Sequence, residues 1–487
     1  MGYRHGVYTS EAATSLAAPV LGTAGLQVII GTAPVNMVAD PAKVTNVPVI
    51  AYSYKEAVEA MGFSDDFEKY TLCEAIAVNF QLIGTGPIVM INVLDPANTN
   101  HKTAMTGGTI TIANGIAKVN ETGILVDNSF TVKKNENTTL TKGTDYATAF
   151  NADGTLNIII LDTTATTGIT SVIVSGNKLD PTAVTASDIV GGVNISTGAE
   201  TGLEVVRQVR PKFALTPGIL LAPRFSKNAT VAAALQAKCL ELNGVFRVTC
   251  IIDIDSGSSG ARKYTDVKTQ KDAQGASSNN ALAVWPFGAV GDVIYSGSAL
   301  AGALTVATDA ANNDVPNTSP SNKNLPITAA VLEDGTEVLL DLEQANTVNG
   351  FGVATFLKVE GFRLWGNNTA AYPGTTDPKD RWFAVRRFFS WTGNTFMLTY
   401  FDKVDSPGNT RLIQAIVDSE NIRGNGFVAN EVCARYEITY NVDENSATDL
   451  MDGTIRFHQY LTPYTPAEKI ENVLEFDPSA LAAALTA

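Results

Sequence analysis

The chain has 487 residues, with 34 Lys or Arg against 49 Asp or Glu and a formal charge of −15. That length gives ample mass for a buried core and, at ~100 to 200 residues per domain, roughly three or four domains. The acidic balance opposes a polyanionic partner and no Lys/Arg stripe reverses it locally, so nucleic-acid binding is disfavoured.

Residues 1 to about 22 are small and polar, with a short extended piece at Gly6, Val7, Tyr8, Thr9 and Ser10, which suits a tail that orders only against something else. Arg4 and His5 precede a Ser/Thr/Ala/Gly mixture, which lacks the order of a signal peptide. No apolar run approaches the ~18 residues of a membrane helix. Synthesis and folding in a cytoplasm are therefore expected, with no membrane insertion.

The core begins at Leu26, where QVIIGTAP reads as a buried strand ended by Gly31 and Pro34. Tyr54 to Met61 reads as a helix, and Ser64 is a candidate cap for a longer one from Asp65 to about Leu82. IVMINVL follows as a second buried strand, and strand, helix, strand with apolar strands predicts an α/β layer with a covered sheet. At Asp95-Pro96 the composition changes, and to about Gly202 short strands (TITIANGIAKV, ILVDNSFTVKK, TLNIIIL, ITSVIVSG) alternate with Asn/Gly/Asp turns. This predicts an inserted all-β sandwich.

The α/β pattern then resumes: GILLAP as strand, Asn228 to Leu242 as helix with Ser226 as its candidate cap, FRVTCIIDI as strand, Ala261 to Ala273 as helix, ALAVWPF as strand. Ser296 to Pro326 shows no period and is expected to be irregular. Mixed elements follow, including RWFAVRRFFSW, a helical NTRLIQAIVDSENIRG, and strands at ARYEITYNV and GTIRFHQYL. From Lys469 the side chains Ile470, Asn472, Leu474 and Phe476 share one face, and Lys469, Glu471, Val473 and Glu475 the other, with lapses at Asn472 and Val473. This period of two predicts a terminal strand that must pair with its own domain or with another subunit. Asp477 and Pro478 are expected to open a short final helix.

Candidate chemistry is sparse. Asp253-Ile254-Asp255 ends a predicted parallel strand, the usual site edge of an α/β sheet, and an Asp-x-Asp there can hold Mg²⁺ or act as nucleophile. It resembles the first motif of haloacid-dehalogenase-type phosphatases, but the downstream lysine and acidic pair of that family find no place. His5, His101 and His458 have no second ligand at metal spacing. Cys73, Cys239, Cys250 and Cys433 form no CxxC and read as buried free thiols. GTGP and SGSSGARK match neither phosphate-binding fingerprint and read as turns, and the Arg381 to Trp391 cluster reads as core aromatics with structural arginines.

Several pieces in order carry a more specific signal: GVYTSEAAT and IIGTAP, LCEAIAVNFQLIGTGPIVMINVL, ILLAPRFS, ALAVWPFG with SGSALAGALTVAT, FRLWGNN, RWFAVRRFFSW, and ATDLMDGTIRFHQYLTPYTPAEKIENVLEFDPSAL. Together they resemble the contractile tail sheath proteins of phages and phage-like particles such as R-type bacteriocins, over most of the chain outside the insert. The Gly366-Asn367-Asn368-Thr369 stretch departs from the family, and the insert is a looser match, to the sandwich module of some Gram-positive systems.

The resemblance implies a non-enzymatic structural subunit without cofactors, polymerising as stacked hexameric rings around an inner tube and contracting to drive the tube through a cell envelope. Its partners would be itself, the tube protein, and baseplate and terminator proteins. It would be made in a bacterial cytoplasm and carried in the tail of a virion or phage-like particle released by lysis. In that family the termini add strands to neighbours' sheets, here at Gly6 to Ser10 and Lys469 to Phe476. The expected fold is a multidomain α/β and α+β chain. An N-terminal arm spans 1–22, an interrupted α/β core 23–96 plus 203–365, and the inserted sandwich 97–202. A C-terminal α+β domain spans 366–467 and a C-terminal arm 468–487. A secreted β-rich adhesin or surface-layer protein and an Asp253-based phosphatase are the alternatives.

Overall fold

The computed structural model describes residues 20–21 and 24–486. Apolar runs set the main sheet: β1 (Gln27–Gly31), β2 (Val49–Ala51) and, after helices α1 (Tyr54–Met61) and α2 (Thr71–Ile76), β3 (Ile88–Asn92). Past residue 202 come β4 (Ile219–Leu221), α3 (Ala229–Leu240), β5 (Thr249–Asp253), α4 (Val267–Gln274) and β6 (Ala281–Val284). Helix α5 (Gly297–Ala311), helix α6 (Leu342–Gly350), β7 (Val353–Lys358) and β8 (Phe362–Trp365) complete the layer. The nine strands lie in the order Asn324–Leu325, β8, β7, β6, β5, β4, β1, β3, β2. From β7 to β3 every pair is parallel, and the edge strands run antiparallel. Strands β1, β3, β4, β5 and β6 are buried at every residue, which is why they read as continuous apolar runs instead of alternating ones.

Between β3 and β4 a seven-stranded antiparallel sheet spans residues 108–175. It has its own core, in which Val132, Leu156, Ile158, Val172 and Val174 pack apart from the main cluster. A two-stranded stem carries it: Lys102–Ala104 pairs antiparallel with Asn177–Leu179, placing Asn177 opposite Ala104. Leu125, Leu179, Val184 and Ile189 belong to the main core instead. The architecture is thus a mixed, multidomain α/β chain.

Several elements differ from the sequence reading. The helix expected from Asp65 starts at Thr71, because its first donors find partners on the end of β1. Thr71 N–H donates to Thr32 Oγ1 (3.1 Å) and Leu72 N–H to the Thr32 carbonyl (3.0 Å). Ser64 caps only a tight turn, accepting from Asp66 N–H at 3.2 Å. Helix α3 is capped by Asn228, whose Oδ1 accepts from Thr230 N–H at 2.9 Å, while Ser226 is drawn into the core. Helix α4 starts at Val267 and not at Ala261, whose carbonyl accepts the Trp285 indole N–H at 3.0 Å. Pro286, with no N–H, ends β6, and Phe287–Val290 joins a separate three-stranded sheet with Val293–Tyr295 and Ala329–Val331.

The largest correction concerns Ser296 to Pro326, which holds the buried helix α5. Its sequence GSALAGALTVATDAA is small and apolar around the whole circumference, so no 3.6-residue period exists to be seen. Gly302 lets the helix meet β4: a Cβ there would lie 2.9 Å from Leu221 Cδ1.

The C-terminal elements are helices α7 (Phe383–Tyr400) and α8 (Thr410–Ala429), strands β9 (Cys433–Thr439) and β10 (His458–Pro463), and helix α9 (Pro478–Thr486). Phe388, Trp391, Phe427 and Tyr436 form an aromatic cluster there, with ring centroids 5.5 to 6.4 Å apart. Arg387 on α7 donates to the buried Asp309 of α5 from both terminal guanidinium nitrogens, Nη1 at 2.8 Å. Among the described residues, no helix is long and apolar enough to cross a membrane.

Candidate assembly site

Among the described residues strands β9 and β10 pair only with each other, from Cys433 opposite Pro463 to Thr439 opposite His458. Among the described residues both outer edges of this two-stranded sheet have no partner strand. One face is buried against α8 through Tyr436 and Ile438, while Arg435, Glu437 and Tyr460 point outward, with the Arg435 guanidinium 4.0 Å from the Tyr460 ring. The close fit to α8 depends on Gly424, where a Cβ would lie 2.4 Å from the Tyr436 carbonyl. Tyr436 also donates its hydroxyl to the buried Glu420 (2.8 Å), and burial beside that carboxylate pushes the phenol pKa up. A two-stranded sheet with open edges is a template for additional strands.

The chain leaves β10 at Pro463 and is pinned once more at Glu468. That carboxylate accepts from Arg381 Nη2 at 2.9 Å, and the Arg381 guanidinium lies over the Tyr372 and Trp382 rings at 4.6 and 4.0 Å. Residues 469–476 then run without helix or strand. Ile470, Leu474 and Phe476, on one face of the sequence pattern, are 88%, 87% and 74% exposed, and Val473 on the other is 82% exposed. The final helix opens as expected: Asp477 accepts from the Ser479 hydroxyl and from the Ser479 and Ala480 N–H groups, and these donors lower its carboxyl pKa. The other sequence-derived candidates, Gly6 to Ser10, lie outside the described residues.

The Asp-x-Asp lure is absorbed by the fold. Asp253 is fully buried at the end of β5 and accepts from Ser298 N–H (2.7 Å), Ser298 Oγ (2.6 Å), Ser226 Oγ (3.0 Å) and Arg224 N–H (3.2 Å). Burial raises its pKa and those donors oppose the rise. These contacts occupy the carboxylate and tie β5 to the start of α5. Asp255 accepts from Gly257 N–H at 2.9 Å in the following turn.

His101 Nδ1 accepts from Asp95 N–H at 3.0 Å, and no cluster of three or more His, Cys, Asp or Glu able to hold a metal occurs among the described residues. All four cysteines are free and buried, and burial pushes the Cys73 thiol up to about 12. Sequence reasoning missed two buried ion pairs. One is Arg387 with Asp309; the other joins Arg224 Nε to Glu74 Oε2 at 2.6 Å. The available signal was a lone acid in an apolar run, in LCEAIAV and in LTVATDAA.

The overall mixed α/β fold is similar to that of chains from contractile injection systems. A chain in the cryo-EM structure of the anti-feeding prophage baseplate superposes with a TM-score of 0.58 at 13% identity, covering 98% of this chain and 100% of that one. A chain of the contracted PVC sheath complex, an extracellular contractile injection system, gives 0.56 at 12% identity, covering 99% of each. No protein-family model matches the sequence. The chain is, however, 27% identical over 483 residues to the tail sheath protein of Burkholderia phage BcepMu, covering 96% of this chain and 95% of the relative. Its similarity to that tail sheath protein thus runs along nearly the whole chain, in keeping with the resemblance its ordered motifs carry.

Proposed function

We propose that this chain is the repeating subunit of a contractile sheath, built as stacked hexameric rings around an inner tube and linked by strands exchanged between neighbours. The observation that carries the linkage is the pairing of a donor and an acceptor on one molecule. Among the described residues the β9–β10 sheet has two open edges, and the exposed segment Lys469 to Phe476 follows it after five residues, with alternate apolar side chains. Main-chain hydrogen bonds would supply the join and alternate side chains its register. Gly6 to Ser10 is the second donor in this reading. The inserted β-sheet would project as a separate sandwich, and tube, baseplate and terminator proteins would be the remaining partners.

Contraction would then draw on two alternative packings of the same bodies, with the strand links preserved throughout. The particle would assemble in a bacterial cytoplasm and leave by lysis. Electron microscopy of the purified chain tests this reading. The full chain should form long striated hollow tubes, and a chain lacking residues 468–487 should remain folded yet form none. Normal tubes from the truncated chain would remove the arm from the mechanism.

A further inference from the structure

At the joint between the core and α7 lies a cleft of about 250 Å³ lined by Arg210, Arg247 and Arg387 beside Trp391, Leu215 and Leu398. In a chain with a net charge of −15, its lining contains no acidic side chain among the described residues. The arginines are held from both sides of the joint. Asn394 on α7 accepts from Arg247 N–H (3.0 Å) and donates to the Arg247 carbonyl (2.7 Å), fixing that residue's backbone to the helix. Arg210 Nη1 donates to the Ala214 carbonyl at 2.6 Å.

Counter-charge is short. Arg387 is taken by Asp309, and its neighbour Arg386 reaches Asp380 at 3.3 Å, a carboxylate already shared with Lys379. The side chains of Arg210 and Arg247 form no ion pair among the described residues. Arg386 is 5% exposed and its Nε has no hydrogen-bond partner. Burial, and after it the nearby Arg247 charge, pull the Arg386 pKa down. Of these four arginines, two pair with carboxylates and, among the described residues, two have none.

We propose that this cleft binds an oxyanion, a phosphate or carboxylate group, held mainly by Arg247 and Arg210 against the Trp391 wall. Guanidinium groups match such oxyanions in shape and charge, and a cleft with apolar walls concentrates their field. An anion there neutralises both sides of the joint and fastens α7 to the core. The source is either free phosphate or a carboxylate side chain offered by a second copy of this acidic chain.

The test titrates inorganic phosphate into the full chain, Arg247→Gln and Arg210→Gln/Arg247→Gln by calorimetry, with chloride at matched ionic strength as reference. Circular dichroism checks that the variants, altered only at residues with solvent-accessible side chains, remain folded. Saturable binding is expected in the unaltered chain, weakened roughly tenfold by Arg247→Gln through loss of one charge-assisted hydrogen bond, and abolished in the double variant. Tube assembly followed by light scattering separates the sources. Inhibition by phosphate together with slower assembly of Arg247→Gln assigns the site to a second copy, and assembly indifferent to both assigns it to the free ion. No saturable phosphate binding, or equal binding by the double variant, overturns the proposal.

Discussion

The Arg387–Asp309 pair offers a quantitative test of how the C-terminal elements are held to the core. Asp309 is completely buried, and Arg387 makes the side-chain hydrogen bonds to its carboxylate. Arg387→Met would strip those bonds and leave a carboxylate in an apolar helix-to-helix contact. Removing one member of a buried pair costs about 3 to 5 kcal/mol, a large part of the roughly 5 to 15 kcal/mol by which native proteins are stable. Replacing both members, as Asp309→Leu with Arg387→Met, removes the charge and its partner together and should recover most of that loss.

Because the chain has several bodies, a single unfolding midpoint is a poor measure. Hydrogen exchange on α7, with urea unfolding followed through Trp391, reads the joint directly. Arg387→Met should lose protection along α7 while β1, β4 and β5 keep theirs, and the penalty should shrink as acid protonates Asp309. A loss below about 1 kcal/mol, or a double variant as weak as the single one, would refute a strongly coupled buried pair.

Gly424→Ala places a Cβ against the Tyr436 carbonyl and should cost about 1 to 3 kcal/mol, read as faster proteolysis between α8 and β9; unchanged cleavage would contradict the close approach. Lys271 donates from Nζ to the Phe351 and Tyr372 carbonyls at 2.6 and 2.9 Å, and burial lowers its pKa to about 8. Since the folded form gives up this proton at lower pH than the unfolded one, stability relative to Lys271→Met should rise from pH 8 to about 10.5, by about 3 kcal/mol at most. A difference flat across that window would contradict it. Excising residues 105–176 and closing Ala104 to Asn177 with an Asn-Gly turn should leave the main sheet folded and able to assemble, because these two residues already face each other across the stem. Electron microscopy checks this, and loss of tubes from a folded product would make the module an interface.

What the sequence showed clearly was what local chemistry decides. QVIIG and TCIID are strands because every position is buried, and Tyr54 to Met61 is a helix capped by Ser53. Helix α5 was invisible for the opposite reason, since a helix buried on all sides has no polar face to mark its period. The ion pairs joined residues 150 and 78 positions apart, so neither partner announced the other. Ser226 and Asp253 looked like a cap and a catalytic acid, and they spend themselves on each other. The alternation in Ile470 to Phe476 was legible, yet the segment forms neither helix nor strand in the single chain, so the sequence alone could not say what, if anything, it pairs with.

The anchor at Glu468 gives the last segment a measurable geometry. Nine residues separate it from Pro478, and at ~3.3 Å per extended residue they reach about 30 Å. A link made through this stretch is therefore a leash of set length. In the proposed linkage, two neighbouring molecules could turn or slide only while the Arg381–Glu468 pin of one stayed within that radius of the hairpin edge of the next. Shortening the leash residue by residue would narrow the range of lattices the same bodies can occupy, and lengthening it would widen that range.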